Sequence, residues 1–208
     1  DLICKFDAQR RPMIGGGQAS IGDFDGKADT LEIAIATGKS LTIFDNYGNK
    51  IAGSVTQDCS SFVTGITSFD FNGDGKPEII YGDEQFLRIY EMDKSGELKV
   101  VWSTINPSGT LREYPVVADV NGDGLQDLVT GKRRWAHGPF KDEEPDAAPV
   151  LYWFELKRDG KGGAEFIAHL IDEDSGVGTQ VTTGDINKDG KVDVLVSNKR
   201  GVFIFTQE

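Results

Sequence analysis

The sequence predicts an all-β protein, a β-propeller of four repeated blades with four antiparallel strands each. Three observations predict it. One acidic loop recurs in register along the chain, short β-type runs flank every copy, and the copies start 47, 49 and 66 residues apart. Four strands in each stretch of roughly 45–65 residues is the length of a propeller blade.

The loop reads Asp70-Phe71-Asn72-Gly73-Asp74-Gly75-Lys76-Pro77-Glu78, then Asp119-Val120-Asn121-Gly122-Asp123-Gly124-Leu125-Gln126-Asp127, then Asp185-Ile186-Asn187-Lys188-Asp189-Gly190-Lys191-Val192-Asp193. Oxygen-bearing side chains stand at positions 1, 3, 5 and 9, and glycine stands at position 6. Alternating carboxylates and an amide on a tightly turning backbone suit a hard, oxygen-seeking cation, and Ca²⁺ is the ion expected. Glycine permits the sharp turn. The loop is not an EF-hand. That motif needs a bidentate Glu at position 12, where this chain has Tyr81, Thr130 and Val196. A fourth copy, imperfect and about one residue longer, begins at Asp23 and runs to Glu32, with Asp29 standing in for the missing position 5.

Taken in order, the first blade (about 18–60) has strands expected at Ala19–Phe24, Leu31–Thr37, Ser40–Asp45 and Ile51–Gln57, with Asn46-Tyr47-Gly48-Asn49 as its turn. The second (61–110) repeats them at Ile66–Phe71, Glu78–Tyr81, Phe86–Met92 and Leu98–Thr104. In the third (111–172), Tyr114–Val120 and Asp127–Thr130 are followed by a long insertion, then by Val150–Leu156 and Ala164–Leu170. Ala164, Ile167, Ala168 and Ile171 also fall at helical spacing, but the repeat calls for a strand there. The fourth (173–208) has Val181–Ile186, Val192–Ser197 and Gly201–Thr206, and is one strand short. Leu2-Ile3-Cys4-Lys5-Phe6, within residues 1–7, is expected to pair with Gly201–Thr206 and close the ring; a larger ring completed by another chain is the alternative. Unbroken apolar runs at Leu31–Ala36, Ile79–Tyr81 and Val192–Val196 suggest inner strands covered on both faces.

Composition narrows the partners. At 208 residues the chain can bury a core of its own. A formal net charge of −12 disfavours nucleic acid and acidic membrane surfaces. No apolar run approaches the ~20 residues of a membrane-spanning helix, so membrane insertion is not expected. The chain opens on Asp1 with no visible signal peptide. Its two cysteines, Cys4 and Cys59, form a disulfide if the chain is secreted and remain thiols in a reducing compartment.

The Asp-x-Asn-x-Asp-Gly-x-x-Asp hairpins resemble FG-GAP/VCBS repeats, the calcium-bound blades of integrin-α-like propellers, and the resemblance covers almost the whole chain. It implies that each loop joins the two innermost strands of a blade and holds one Ca²⁺. The implied ligands are the side chains of Asp70, Asn72, Asp74 and Glu78; Asp119, Asn121, Asp123 and Asp127; and Asp185, Asn187, Asp189 and Asp193. Backbone carbonyls of Lys76, Leu125 and Lys191 would join them. Three calcium sites follow, and a fourth is open at Asp23, Asp25, Asp29 and Glu32. Cys59-Ser60-Ser61 with Thr110–Pro115 resembles repeats of bacterial secreted multidomain proteins. Lys132–His137 with Asp174–Gln180 resembles repeats of planctomycete-like secreted proteins. Such repeats usually sit outside the cytoplasm, on the cell surface or in the periplasm, which implies a Cys4–Cys59 disulfide; two unpaired cysteines are the alternative.

No catalytic set emerges. His137 and His169 lack a His-Glu-x-x-His or Cys-x-x-Cys context. No Gly-x-Ser-x-Gly elbow surrounds any serine, and Gly15-Gly16-Gly17 lacks the Lys of a phosphate loop. The insertion Lys132–Pro149 is the most individual stretch, and long loops between strands are often functional. Arg133, Arg134, Trp135 and His137 would stack on and hydrogen-bond a sugar or acidic glycan; alternatively Trp135 caps the blade core and the basic and acidic halves of the insertion pair. The expected function is a binding or scaffold module for a glycan or protein ligand. An alternative is part of a carbohydrate-active enzyme of lyase or dehydratase type, with His137, His169, Arg133 and Tyr152 converging. Another is a repeat unit that self-associates through blade edges.

Overall fold

The strands follow from alternating and β-branched runs set between Asp/Gly-rich turns. The computed structural model describes residues 18–27, 29–37, 40–55, 65–82, 86–105, 115–135, 138–140, 144–178 and 180–208. Among these residues there are fifteen strands, no helix, and only antiparallel pairings. They form four sheets in two compact units, residues 1–105 and 106–208.

In the first unit, β1 (Ala19–Gly22), β2 (Glu32–Thr37), β3 (Ser40–Phe44) and β4 (Lys50–Val55) lie side by side in chain order. A second sheet repeats this with β5 (Gly65–Phe69), β6 (Glu78–Gly82), β7 (Phe86–Met92) and β8 (Leu98–Ile105). One core joins the two sheets: Phe24, Ala34, Ala36, Leu41 and Ile43 pack with Ile66, Ile79, Tyr81, Tyr90 and Leu98. The inner strands are also tied by Ser20 Oγ to Ser68 Oγ at 2.6 Å and by the Ile66 N–H donating to Gln18 Oε1 at 2.9 Å.

In the second unit, β9 (Val116–Ala118), β10 (Asp127–Gly131), β11 (Leu151–Arg158) and β12 (Ala164–Asp172) form one sheet. β13 (Val181–Gly184), β14 (Asp193–Asn198) and β15 (Gly201–Phe205) form a three-stranded sheet. Val129, Leu151, Val177, Val181, Val194 and Val196 make its core.

Sheet register explains why the acidic loops are alike. Position 9 of each loop opens the second strand and pairs with the residue just before position 1: Glu32 with Gly22, Glu78 with Phe69, Asp127 with Ala118, and Asp193 with Gly184. The ladder therefore stops at the same rung in all four sheets and hands the chain to an acidic loop of nine residues, or ten in the first.

The strand that the repeat calls for at Ala164–Leu170 is β12, paired along its length with β11 despite the helical spacing. Burial on both faces holds for β6; β14 buries Asp193, Val194 and Val196 with Leu195 half-buried; it does not hold for β2. There Ala34 and Ala36 enter the shared core while Ile33 and Ile35, pointing the other way, are half-buried. The outer hairpins carry a recurring acid that sequence reading passed over. Asp45, Asp93 and Asp159 each accept two backbone N–H groups within their own turn, from Tyr47 and Asn49, Ser95 and Glu97, and Lys161 and Gly163. The Asn49 amide at Asp45 and the Lys99 ammonium at Asp93, each backed by the turn N–H groups, and the turn N–H groups alone at Asp159 hold all three carboxyls below the usual range. The segment Leu2–Phe6, both cysteines, Gly15–Gly17 and His137 lie outside the described residues.

Candidate metal centres

Each loop is built on one hydrogen-bonded frame. The backbone N–H of position 2 donates to the position 9 carboxylate: Phe24 to Glu32 at 2.9 Å, Phe71 to Glu78 at 2.7 Å, Val120 to Asp127 at 3.0 Å, Ile186 to Asp193 at 2.9 Å. The N–H of position 5 donates to the position 1 carboxylate, from Asp74 to Asp70, Asp123 to Asp119, and Asp189 to Asp185, at 3.1–3.2 Å. It also donates to Oδ1 of the position 3 asparagine (Asn72, Asn121, Asn187) at 2.8–3.0 Å. Position 6 glycine donates to position 1, and Lys76, Leu125 and Lys191 at position 7 donate to position 5.

The backbone pays for this curl at position 4, which is left-handed in every copy. Gly26, Gly73 and Gly122 have φ of 72°, 81° and 75°, and Lys188 adopts the same conformation at 65° without glycine's freedom. The asparagine amides are held at both ends, Oδ1 by the position 5 N–H and Nδ2 by acids of the loop and its neighbour. Asn72 Nδ2 donates to Glu78 Oε1, Asn187 Nδ2 to Asp189, and Asn121 Nδ2 to Asp123 and Glu155.

The first loop keeps the frame with a different side chain. Lys27 N–H donates to both Asp23 Oδ1 and Asp25 Oδ1 at 3.0 Å, the two bonds that position 5 makes elsewhere. Lys27 therefore stands where the other loops have Asp, and its ammonium lies 2.6 Å from Asp25 Oδ2. Asp23, Asp25 and Glu32 bring carboxylate oxygens within 4.8 Å of one another, as do Asp70, Asp74 and Glu78. Asp29 is outside that first group. Among the described residues the third and fourth loops form no such group of three carboxylates. Their position 9 is Asp, one methylene shorter than Glu, and both its oxygens are drawn to backbone N–H groups: Asp127 to Val120 and Leu156, Asp193 to Ile186 and Gln207.

The position 9 acids are all buried. Burial raises the carboxyls of Glu32 and Asp127, and pushes Glu78 up to about 7, with Asp70 and Asp74 adding repulsion. Several acids facing one small space, as in the first two loops, are chemically a receptor for a hard divalent cation, and the adjacent asparagine side chains carry further oxygens.

The remaining candidates lie in the second unit. The Trp135 indole N–H donates to Pro145 O at 2.8 Å, joining the two arms of the insertion, and the Arg134 guanidinium lies 5.1 Å from its ring. Arg133 and Arg134 line a cavity with Trp135. His169 is elsewhere, stacked on its cross-strand partner Trp153 at 4.4 Å and 3.1 Å from Glu155 Oε2. Tyr152 packs beside Phe154. Among the described residues no helix is long and apolar enough to cross a membrane.

Residues 70–130 match the FG-GAP-like repeat and residues 177–205 the FG-GAP repeat, so the chain carries FG-GAP-type repeats in both units. BBSome complex member BBS2 of Rattus norvegicus and that of Mus musculus are each 26% identical over 185 residues, 73% of this chain. The chain spans about a quarter of the length of these relatives. Among solved structures, the V. cholerae biofilm matrix protein Bap1 is 31% identical over 51% of this chain and 17% of its own, with a TM-score of 0.45. A lectin of Agrocybe aegerita that recognises non-reducing terminal N-acetylglucosamine is 14% identical over 91% of this chain and 51% of its own, with a TM-score of 0.47.

Proposed function

We propose that this FG-GAP-repeat chain is a calcium-stabilised β-propeller that works outside the cytoplasm as an interaction module for a glycan or protein ligand. The observation that carries the reading is the repeated loop frame, in which a buried position 9 acid accepts the same backbone N–H in all four sheets and, in the first two, three carboxylates converge. Metal-free, such acids repel one another and bury charge at a cost; a divalent ion bound among them removes both penalties. Asp70, Asn72, Asp74, Glu78 and the Lys76 carbonyl would hold one ion. Asp119, Asn121, Asp123, Asp127 and the Leu125 carbonyl would hold a second, and Asp185, Asn187, Asp189, Asp193 and the Lys191 carbonyl a third. The first loop, with Lys27 at position 5, would be the weakest site.

The ions in this reading are structural. Extracellular-type sites bind calcium at ~10⁻⁴–10⁻³ M, so at ~1 mM each adds about 0.4–1.4 kcal/mol, and three or four add about 1–6 kcal/mol. The four sheets would be the blades of one ring, closed by Leu2–Phe6 against β15. β15 ends its sheet among the described residues and exposes Val202 and Ile204, which favours self-association through this edge as a second reading. Binding rather than catalysis is proposed because His169 sits in a packed, hydrogen-bonded cross-strand setting.

Urea unfolding with 1 mM calcium, with 1 mM magnesium, and with chelator tests the reading. Stabilisation by calcium beyond that by magnesium is expected. Equal midpoints in all three would overturn it.

A further inference from the structure

The third and fourth loops carry the same residue types at positions 1, 3, 5 and 9, yet their surroundings differ. The difference starts from position 9. In the second loop Glu78 reaches back to hold the asparagine, Asn72 Nδ2 donating to Glu78 Oε1 at 2.8 Å. Asp127 and Asp193 are one methylene shorter, and each turns its two oxygens to two backbone N–H groups. Neither bonds to the asparagine of its loop.

In the third loop a residue of the next strand takes over this role. Glu155 follows Phe154, the partner of Leu128, and so stands on β11 beside the start of β10. Asn121 Nδ2 donates to Glu155 Oε1 at 3.1 Å and to Asp123 Oδ2 at 3.2 Å, while Asn121 Oδ1 accepts the Asp123 N–H at 3.0 Å. The matching place in the fourth sheet, after Phe205, holds Thr206, and among the described residues Asn187 Nδ2 is held by Asp189 alone.

Glu155 is itself held firmly. Its side chain is 15% exposed, its Oε1 also accepts the Lys157 ammonium, and its Oε2 lies 3.1 Å from His169 Nε2. His169 stacks on Trp153 with ring centroids 4.4 Å apart, and Trp153 packs against the core of the unit. Contacts therefore run without a gap from the core to the loop. A carboxylate only accepts hydrogen bonds, so Glu155 favours the amide NH₂ of Asn121 and repels its oxygen. It fixes which way round the amide stands. Asp123 does so too, but Asp123 is also among the acids that would serve an ion, whereas Glu155 lies outside that set.

We propose that Glu155 is a positioning residue of the third loop, holding the Asn121 amide with its oxygen left to the loop and so raising the affinity of that loop for calcium. The inference rests on the reading of the loops as calcium sites. Groups that hold a metal ligand from behind typically govern affinity by roughly 10–100-fold.

The test is a calcium titration of the whole chain followed by proton–nitrogen NMR. It reads each loop separately, because the N–H groups of Gly75, Gly124 and Gly190 each donate to the position 1 carboxylate of their own loop. Glu155→Ala is expected to raise the Gly124 midpoint by about tenfold or more and to leave Gly75 and Gly190 in place. Glu155→Gln keeps the reach and one acceptor oxygen, so it should raise the Gly124 midpoint by about threefold, and it carries the test if the alanine variant does not fold. Glu155→Ala combined with Lys157→Ala removes one charge of each sign, and the loss should persist there. An unmoved Gly124 midpoint, an equal shift at all three glycines, or recovery in the double variant would each overturn the proposal and leave the calcium reading standing. A parent in which none of the three glycines responds to calcium would overturn both.

Discussion

Glu78→Gln is the substitution whose effect should change sign with calcium. Glu78 is 2% exposed, accepts the Phe71 N–H and the Asn72 amide, and faces Asp70 and Asp74. Burial holds its carboxyl at about 7, so at pH 8 the metal-free protein carries a buried charge that the unfolded chain would not resist. The shift from 4.5 corresponds to at most about 3 kcal/mol, reduced to about 1–3 kcal/mol by screening from the adjacent solvent-facing loop. Glutamine removes that charge but turns an amide N–H₂ toward the Asn72 donor, losing one hydrogen bond at about 1 kcal/mol. At pH 8 in chelator the variant should therefore be as stable as the parent or up to about 2 kcal/mol more stable. At pH 5, where Glu78 is already protonated, it should be about 1 kcal/mol less stable. In 1 mM calcium it should lack one site's increment, about 0.4–1.4 kcal/mol. Urea unfolding followed by tryptophan fluorescence measures all three. A variant equally destabilised at both pH values, with the calcium increment intact, would refute the reasoning.

Three further predictions follow the same chemistry. Lys27→Asp restores an acid at position 5 of the first loop and removes the ammonium from Asp25, so calcium should stabilise the variant more than the parent while chelator leaves it weaker; an unchanged calcium increment would count against Lys27 as the position 5 residue. The metal-free protein should lose stability as pH rises from about 4.5 toward 7, because Glu32, Glu78 and Asp127 hold protons more tightly folded than unfolded. It should also lose stability below the ordinary carboxylate value of 3.8, because Asp45, Asp93, Asp159, Asp172 and Asp174 hold theirs less tightly, and saturating calcium should abolish the fall toward neutrality; thermal unfolding across pH 3–8 reads both limbs. Lys188→Gly should gain about 0.5 kcal/mol, the relief of a left-handed lysine less the greater freedom of unfolded glycine, and a loss of about 1 kcal/mol would show that the lysine side chain matters more than its backbone.

The loops were legible because their chemistry is local. Nine consecutive residues carry the side chains, the turn and the strand starts, and the ladder register then repeats without help from distant contacts. At Ala164–Ile171 the repeat was the better guide than the helical spacing, because period alone cannot see that β11 lies beside it. The extra residue in the first loop hid which side chain takes position 5, since counting from Asp23 cannot tell where the chain bulges, whereas the two bonds from Lys27 N–H can. Asp45, Asp93 and Asp159 carried a readable signal, an Asp three residues before a turn glycine in each outer hairpin, and it was eclipsed by the stronger inner motif. The cavity beside Trp135 was half legible. Arg133, Arg134 and Trp135 stood out as a run, but Lys199 and Arg200 lie over sixty residues away and are brought to it by folding.

Calcium occupancy is the claim on which the rest depends, and native mass spectrometry in calcium-containing buffer counts it directly. The account predicts three bound calcium ions on each chain, with a fourth at partial occupancy on the first loop, and loss of one ion in Glu78→Gln. A folded protein that carries no calcium would contradict it.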